Sequence, residues 1–332
     1  MEKIDFVIAW VDGNDPAWQA EKAKYRPDPV QADNRSIRYR DWETLHYWFR
    51  AVEKYAPWVN RIHFITWGHV PVWLNTAHPK LHIVNHRDYI PEEYLPVFSS
   101  HPIELNLHRI EGLSEQFVYF NDDFFLTAPV QPSDFFLKGL PRDSLEEAPL
   151  DLSWRNLMVS VNANDVLYAN LHYHKPTCRR QNLGKWYSWR TPAVAAKNLL
   201  LSAISRRYFF GLNVHHLPQA YRKETLEQVW QLEPQWLHET CTHRFRDASD
   251  VSQCVFKFHQ LATGAFVPVN KRHWGKWYPG GMDAEGAAAA IRSRKYRYIC
   301  FNDSDKIDFE TNKRIIHQAF QAVLPEKCGF EL

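Results

Sequence analysis

The sequence has no run of apolar residues that approaches the roughly 20 needed to cross a bilayer as a helix. It also lacks an excess of charge, because 40 Lys and Arg oppose 38 Asp and Glu and leave a formal net charge of +2. A global field that would attract nucleic acid or an anionic membrane is therefore excluded, and any anion-binding surface must be local. We expect no transmembrane segment and at most a peripheral membrane association.

Cysteine patterns and metal motifs are equally sparse. The five cysteines include no CxxC pair, and an odd number without metal spacing indicates reduced thiols in a cytosolic protein. HExxH is absent, as is the P-loop pattern GxxxxGKS/T. The first residues, MEKIDFVIAWVDG, enter a strand without a basic leader, so we expect a cytoplasmic protein, either free or at the inner face of the cell membrane.

Short apolar runs alternate with amphipathic segments in the first third of the chain. The patterns predict strands at 4–10, 61–67, 81–86 and 116–120, and helices at 40–55 and 101–109. Asp41 is the expected N-cap of the first helix, and Pro57 is expected to end it. This alternation predicts an α/β fold with a mostly parallel sheet and helices on its faces.

The remainder is mixed. Residues 130–190 are Pro-rich and then aromatic and basic, and no element is predicted there. Helices are predicted at 192–205, 223–232, 252–261 and 309–324, a strand at 298–301 and a glycine-rich loop at 275–282.

Two adjacent acids follow the predicted strand in QFVYFNDD. Asp122 and Asp123 would emerge at its carboxyl end, where open α/β sheets bind ligands. Neighbouring carboxylates repel unless a partner neutralises them, and Mg²⁺ or Mn²⁺ shared with the diphosphate of a nucleotide sugar would do so. Asn302 and Asp303 follow another strand in YICFND and offer further oxygen ligands. The alternative is that these residues cap elements or form ordinary turns.

Other polar residues are candidates for binding phosphate. In WVDGNDP, Trp10 and Gly13 form a loop whose backbone N–H groups can approach a ligand, although the string also fits a simple turn. Arginine pairs with two phosphate oxygens at once, and histidine exchanges a proton near neutral pH. Candidates of these two types are His215, His216, His243, Arg244 and Arg246. The residues alone favour a metal-assisted enzyme acting on phosphate or a nucleotide sugar.

Four blocks, in order, resemble the Stealth family of hexose-1-phosphate transferases. The first is IDFVIAWVDGNDPAW, where the family usually has a strand followed by TWVNGSDP. The second runs from RYRDWETLHYWFRAVEKYAPWVNRIHFITWGHVPVWLN to EQFVYFNDDFFL. The third is HHLPQAYRKETLEQVW with HRFRDASD, and the fourth is YICFNDSDKIDFETNKRIIHQAFQAVLPEKCGFEL. Departures at Ala9, Asp12, Asn14 and His46 leave the identity of the donor open.

The resemblance implies a Rossmann-like, glycosyltransferase-A-like sheet with a partly helical insertion. One catalytic domain would comprise a nucleotide-sugar-binding half at 1–130, an insertion supplying His and Arg at 131–290, and a closing strand and helix at 291–332. It further implies a UDP-sugar donor carrying a hexose or N-acetylhexosamine, Mg²⁺ or Mn²⁺, a glycan or lipid-linked glycan acceptor, and release of UMP in bacterial capsular or surface polysaccharide synthesis. A metal-dependent glycosyltransferase releasing UDP and a non-catalytic carbohydrate-binding protein are the alternatives.

Site roles follow from position within the blocks. The resemblance implies catalytic roles for Asp123, His216 and Arg246, nucleotide-sugar contacts for Trp10, Val11, Gly13, Asp15 and Arg40, and metal contacts for Asp122, Asn302 and Asp303. It does not decide whether Asp123 or His216 takes the acceptor proton.

Overall fold

The computed structural model describes residues 2–25, 39–151, 157–304 and 306–332. The strands are β1 (Ile4–Ala9), β2 (Ile62–Thr66), β3 (Leu81–Asn85), β4 (Gln116–Phe120), β5 (Phe124–Leu126), β6 (Phe136–Leu137), β7 (Leu140–Asp143), β8 (Gln219–Arg222), β9 (Val267–Pro268), β10 (Gly275–Tyr278) and β11 (Tyr298–Phe301). The helices are α1 (Pro16–Lys24), α2 (Leu45–Tyr55), α3 (His86–Tyr89), α4 (Ser100–Leu105), α5 (Pro132–Phe135), α6 (Leu157–His172), α7 (Lys175–Gln181), α8 (Leu183–Trp186), α9 (Pro192–Ile204), α10 (Lys223–Leu232), α11 (Pro234–Thr242), α12 (Cys254–Thr263), α13 (Ala284–Ser293) and α14 (Phe309–Val323). Short 3₁₀ turns lie at Glu92–Tyr94, Leu107–Arg109, Lys271–His273 and Pro279–Gly281.

The central sheet has five strands in the order β3-β2-β1-β4-β8. The first four are parallel, and β8 runs antiparallel to β4. Ile8 pairs with Phe120, and Ala9 pairs with Ile65, so the carboxyl ends of β1, β2 and β4 meet at one edge. The predicted α/β class with a mostly parallel sheet is confirmed.

Helices cover both faces of this sheet. Along β1, Phe6 and Ile8 pack into one core with residues of α2, α13 and α14, whereas Val7 packs into a second core with residues of α10, α11 and α12. Successive side chains of a strand point to opposite faces, so both faces of β1 are buried. A strand covered on both sides reads as a continuous apolar run, as FVIAW does.

A second sheet, in the order β10-β11-β5, brings the end of the chain back beside β4. β11 runs parallel to β10 and antiparallel to β5. The rings of Phe125 and Phe301 stack with centroids 5.2 Å apart and fix this contact. A third small sheet has the order β6-β7-β9.

The helix predicted from residue 40 begins later, at Leu45, with Thr44 as its N-cap. The Oδ1 atom of Asp41 accepts a hydrogen bond of 2.6 Å from the Glu43 backbone N–H, and Glu43 has a φ of 56°. Asp41 therefore closes a local turn that competes with the helix, and its prediction as N-cap was wrong.

Two other predicted boundaries were wrong. The helix predicted at 101–109 is interrupted at Asn106, whose Nδ2 donates to the Pro102 carbonyl at 2.8 Å. The glycine-rich segment predicted as a loop contains β10. A Cβ on Gly275 would lie 2.4 Å from the Tyr298 ring, so this glycine allows close packing of β10 on β11 rather than a turn.

Residues 157–204, for part of which no element was predicted, contain the four helices α6 to α9. The helices predicted at 192–205, 223–232 and 252–261 are confirmed as α9, α10 and α12, within two residues at each end. Within the described ranges, no helix combines the length and the apolar character that a membrane crossing needs.

Candidate active site

Strand ends from both main sheets converge on one cleft of about 910 Å³. Trp10 follows β1, and Asp122 and Asp123 follow β4. β11 reaches the same place because it pairs antiparallel with β5, so that the Phe301 N–H donates to the Asp123 carbonyl at 3.3 Å. The cleft therefore lies at the edge where open α/β sheets bind their ligands.

Asp123, Asn302 and His216 form a contiguous polar cluster in this cleft. The Asn302 Nδ2 group donates to Asp123 Oδ2 and lies 3.1 Å from His216 Nε2. His216 Nε2 is 3.6 Å from Asp123 Oδ2. An imidazolium at His216 would therefore be stabilised by the Asp123 carboxylate.

Aromatic rings and a turn hold His216 in place. Its ring packs edge-on against Phe124 at a centroid distance of 5.0 Å and lies 5.4 Å from Trp277. Gln219 Nε2 donates to the carbonyls of His215 and Leu217, at 2.9 and 2.6 Å, and fixes the turn before β8. The turn directs the two histidines to different partners. His215 Nε2 lies 3.7 Å from Glu146 Oε2, and burial lowers the pKa of His215 to about 3.

Trp277 and Cys300 also contact this cluster, and neither was predicted. Trp277 Nε1 donates to Asn302 Oδ1, and Cys300 Sγ donates to Asp123 Oδ2 at 3.4 Å. Cys300 lies within β11 and points toward the acid that precedes β5. The glycines around Trp277 led to the prediction of a loop instead of β10, so no local pattern identified Trp277 as part of the site.

The donor atoms around Asp123 fit a bound cation. Asp123 Oδ1 is buried and accepts no hydrogen bond from the described residues. Asp123, His216 and Cys300 offer ligand atoms within 4.8 Å of one another, and Asp122 lines the cleft beside them. A buried carboxylate oxygen without a donor is costly unless a ligand or ion pairs with it.

Asp122 is exposed to the cleft rather than sealed in a core. Loss of hydration between the cleft walls, together with repulsion from Asp123 and then Asp41, raises the pKa of Asp122 to about 7. A cation would stabilise the ionised form and counter this shift.

Asp303 forms a bidentate ion pair with Arg40. Arg40 Nε donates to Asp303 Oδ2 at 2.6 Å and Arg40 Nη2 donates to Oδ1 at 2.5 Å, so both carboxylate oxygens are engaged. The Arg40 guanidinium also lies 4.1 Å from the Phe309 ring centroid. Arg40 and Asp303 thus form one wall of the cleft, and in this arrangement Asp303 has no oxygen free of Arg40. Its predicted metal contact is untested.

Arg246 also lines the cleft. Its Nη2 donates to Ser100 Oγ at 3.0 Å. The preceding segment is fixed by stacking of Phe245 on Phe98 at 5.2 Å, and by a 2.7 Å hydrogen bond from the Phe98 N–H to the Arg244 carbonyl. The structure therefore brings Arg246 into the same cleft as Asp123 and His216.

Two buried acids, Glu104 and Asp165, also line the cleft, and neither was predicted from the sequence. Burial raises the pKa of Glu104 to about 7 despite the opposing attraction of Arg246. Burial likewise raises the pKa of Asp165 to about 7, although Ser252 donates to it through both its N–H and its hydroxyl. Glu104 lies within the predicted helix at 101–109, where it resembled an ordinary polar position, and Asp165 lies in the region for which no element was predicted, so no signal distinguished either acid.

The first loop contributes less directly. Within the described part of the chain, the cleft lining includes Trp10 and Arg40 but not Val11, Gly13 or Asp15. Asp15 caps α1 by accepting the Trp18 N–H at 2.7 Å. A Cβ on Gly13 would lie 2.0 Å from the Tyr39 carbonyl oxygen, so this glycine is needed for close packing. The predicted nucleotide-sugar contacts of these three residues stay predictions.

The other two phosphate candidates have structural partners. His243 Nδ1 bonds to Asp250 at 2.7 Å, and this hydrogen bond raises the pKa of His243. The Arg244 guanidinium lies 4.8 Å from the ring centroid of Tyr25.

Comparison with known proteins gives consistent matches over the whole chain. Residues 2–28 match Stealth protein CR1, conserved region 1, and residues 38–142 match Stealth protein CR2, conserved region 2. The chain is 38% identical to the capsular polysaccharide phosphotransferase WcwK of Streptococcus pneumoniae, over 100% of this chain and 98% of the relative. It is 38% identical to the receptor polysaccharide phosphotransferase WefC of Streptococcus oralis, over 100% of both chains.

One further relative and one solved structure are also similar to the chain. The chain is 35% identical to the exopolysaccharide phosphotransferase cps2G of Lactiplantibacillus plantarum, over 99% of this chain and 96% of the relative. Among solved structures it is similar to the galactosyltransferase LgtC, with a TM-score of 0.39, 12% identity and 95% of each chain covered.

Proposed function

The chain belongs to the Stealth family, and from this premise we propose that it is a capsular or exopolysaccharide phosphotransferase that moves a sugar 1-phosphate from a UDP-sugar to a glycan hydroxyl. The relatives that it matches over nearly their full length are named as polysaccharide phosphotransferases, which makes it a transferase enzyme. The donor, the leaving group and the transferred group are the parts that we add.

The observation that carries the proposal is the shared cleft of Asp123, His216 and Arg246. Asp123 and His216 come within 3.6 Å from distant parts of the chain, and Arg246 lines the same cavity. Phosphoryl transfer needs positioning and charge stabilisation more than covalent chemistry by the protein. One acid, one imidazole and one guanidinium around a single cleft supply those requirements.

In the proposed reaction an acceptor hydroxyl oxygen attacks the β-phosphorus of the donor in line with the departing group. The new bond joins the acceptor oxygen to phosphorus, and the bond from the β-phosphorus to the oxygen bridging it to the α-phosphorus breaks. UMP leaves with that oxygen, and the bond between the sugar and its phosphate stays intact. The product is a phosphodiester that keeps the anomeric configuration.

The chain's own residues would perform three tasks. His216 would accept the proton of the attacking hydroxyl, and the Asp123 carboxylate would stabilise the resulting imidazolium. Arg246 would bond to the oxygens of the transferred phosphoryl group. Asn302 holds Asp123 and His216 in their relative positions.

We also propose a hard divalent cation, Mg²⁺ or Mn²⁺, held by carboxylate oxygens of Asp122 and Asp123. The buried Oδ1 of Asp123 supports this assignment because it lacks a donor among the described residues. When bound, the cation would supply charge neutralisation for the diphosphate and the departing UMP.

The released nucleotide tests the proposal. The protein would be incubated with a panel of UDP-sugars, Mg²⁺ and candidate glycan acceptors, with UMP and UDP separated by chromatography. A donor labelled at the β-phosphate should pass its label to the glycan while UMP accumulates. Release of UDP with no label in the glycan would instead identify a glycosyltransferase. The Asp123→Asn variant, treated in the same way, is the control for contaminating activities.

A further inference from the structure

Helix α9 has its polar and apolar faces reversed relative to an ordinary surface helix. Two of its three buried positions, Asn198 and Ser202, are polar, and the third is Val194. Its exposed positions are all apolar, namely Pro192, Ala193, Ala196, Leu199, Leu200, Ala203 and Ile204. The fractional exposures of Leu199, Leu200 and Ile204 are 63%, 63% and 66%. A surface helix normally turns its apolar stripe toward the core.

Specific hydrogen bonds fix this orientation. Asn198 Oδ1 accepts the Glu147 N–H at 2.9 Å, and Asn198 Nδ2 donates to the carbonyls of Leu145 and Trp186 at 2.8 and 3.0 Å. Ser202 Oγ donates to Glu147 Oε1 at 2.9 Å. Rotating the helix to bury its leucines would break all of these bonds, so they hold the apolar face outward.

The segment that carries α9 is strongly basic. Between Asp165 and Glu224 the sequence has 10 Lys and Arg and no Asp or Glu, in a chain whose formal net charge is only +2. Arg190 precedes α9, and Arg206 and Arg207 follow it, all three exposed. Trp189 and Tyr208, also beside the helix ends, are exposed by 84% and 57%.

We propose that α9 docks on the surface of an anionic lipid bilayer. The docking surface consists of Leu199, Leu200 and Ile204, flanked by Trp189 and Tyr208, with Arg190, Arg206 and Arg207 as its basic rim. Helices that lie in a bilayer interface combine an apolar face with Lys and Arg, and Trp and Tyr favour the level of the headgroups. Each Arg near an anionic surface adds electrostatic attraction.

The charge pattern distinguishes this occupant from a second copy of the chain. Two copies meeting through α9 would bring their basic rims against each other, and like charges in apposition are unfavourable. A bilayer with anionic headgroups provides both the apolar interior for the leucines and the opposite charge for the arginines.

Docking through α9 would also position the cleft. Glu146 and Glu147 contact α9 through Lys197, Asn198 and Ser202. The next residues of the chain, Ala148 to Leu150, line the cleft. Under the proposed function, which this last step requires, a lipid-linked acceptor in the same bilayer would reach the catalytic residues from that side.

Vesicle flotation of the full chain tests the docking, with no turnover required. The probes are vesicles of phosphatidylcholine alone and of phosphatidylcholine mixed with phosphatidylglycerol. We expect binding to the mixed vesicles that weakens as salt is raised. The triple variant Leu199→Gln, Leu200→Gln, Ile204→Gln should reduce the bound fraction about tenfold, since each lost side chain no longer enters the interface. Arg206→Gln with Arg207→Gln should weaken binding mainly at low salt.

A matched control removes apolar side chains elsewhere on the surface. Val72→Gln with Met282→Gln changes residues that are exposed by 93% and 69%, and it should leave vesicle binding unchanged. All variants should keep the thermal midpoint of the wild type, because none of the changed side chains is buried.

Absent binding to mixed vesicles, or equal binding by the triple variant and the wild type, would overturn the proposal. A wild-type dimer that the triple variant converts to monomers would assign the face to a second copy and overturn it as well.

Discussion

His216 Nε2 lies 3.6 Å from Asp123 Oδ2, and the side-chain amide of Asn302 contacts both. The three residues come from the segments before β8, after β4 and after β11, so the contact depends on the complete fold. All three residues line the cleft that Arg246 also lines.

Removing either partner should slow transfer strongly without unfolding the protein. Asp123→Asn and His216→Gln should each reduce kcat by roughly 10²- to 10⁴-fold, the usual contribution of a positioned acid or base. Both residues are only partly buried, so the circular dichroism spectrum and thermal midpoint should match the wild type. UMP release under saturating donor measures the effect.

The exposed His174 provides the control for this comparison. His174→Gln should retain wild-type kcat, because its Nδ1 bonds only to the neighbouring Thr177 hydroxyl among the contacts described for its side chain. Turnover by His216→Gln within a factor of two of this control would remove His216 from the proposed reaction.

Asn302 is expected to act as a positioning residue. Asn302→Asp keeps the shape but places a third acid against Asp123, and two carboxylates in contact tend to share a proton. We expect kcat to fall at least about tenfold and the acidic limb of its pH profile to move to higher pH. Asn302→Ala should lower kcat without moving that limb. Identical pH profiles for the two variants would show that Asn302 acts through packing alone.

The residues at the strand ends could be predicted largely from the sequence. Parallel strands β1 and β4 place Trp10 and Asp123 at one edge by topology alone, so a β-α-β pattern was enough to bring these two together. Residues 116–120 and 298–301 formed strands with the predicted bounds because each is a short apolar run ended by polar turn residues.

The missed features depend on contacts between distant residues. Gly275 resembled a loop residue, and only the close approach of the Tyr298 ring shows why it belongs to a strand. The start of α2 depends on a side-chain turn at Asp41 that competes with the helix. Glu104 gains its unusual environment from burial beside Tyr119 and Arg246, which no local pattern reveals.

The bidentate pair of Arg40 and Asp303 should influence donor binding. Arg40→Gln and Asp303→Asn should each raise the KM for the donor, because the remaining partner loses its orientation in the cleft wall. The donor KM of the double variant should be no higher than that of the more impaired single variant, because the two residues act as a unit. The corresponding coupling energy between them is about 1 kcal/mol for a partly exposed pair. Initial rates at varied donor concentration give all four KM values.

The exposed ion pair of Lys24 and Glu21 serves as the control. It lies within α1, with Lys24 Nζ 2.6 Å from Glu21 Oε2. Lys24→Gln should leave KM unchanged. Strictly additive effects of Arg40→Gln and Asp303→Asn would show that the pair does not act as a unit.

Buried acids should make the folded protein less stable as pH rises toward neutrality. Burial raises the pKa of Glu104 and of Asp165 to about 7, from ordinary values of 4.5 and 3.8. Between these limits the folded state binds more protons than the unfolded chain, so the free energy of unfolding falls with increasing pH. The contribution is fully present below about pH 4 and is lost as pH rises through about 7. For one acid the loss is on the order of 3 kcal/mol.

Thermal midpoints at about pH 6 and about pH 8 test this expectation. Asp165→Asn carries a permanently neutral side chain and should show a smaller decrease between the two pH values than the wild type. Glu326→Gln, at an exposed position, should decrease as much as the wild type. An equal decrease in Asp165→Asn would show that the ionisation of Asp165 is not coupled to unfolding.

Metal dependence separates two ligand sets around Asp123. Asp123, His216 and Cys300 offer a set that contains sulfur, whereas Asp122 and Asp123 offer oxygens. Cys300 is fully buried, and burial raises its pKa well above the ordinary value, which favours a neutral thiol over the thiolate that metals bind. A hard cation on the carboxylates is therefore the expected arrangement.

Chelation with EDTA should abolish UMP release, and Mg²⁺ or Mn²⁺ should restore it. Cys300→Ser should keep both the kcat and the metal preference of the wild type, whereas Asp122→Asn should raise the Mg²⁺ concentration needed for half-maximal activity about tenfold or more. A change of preferred metal in Cys300→Ser, with Asp122→Asn unaffected, would assign the cation to the sulfur-containing set instead.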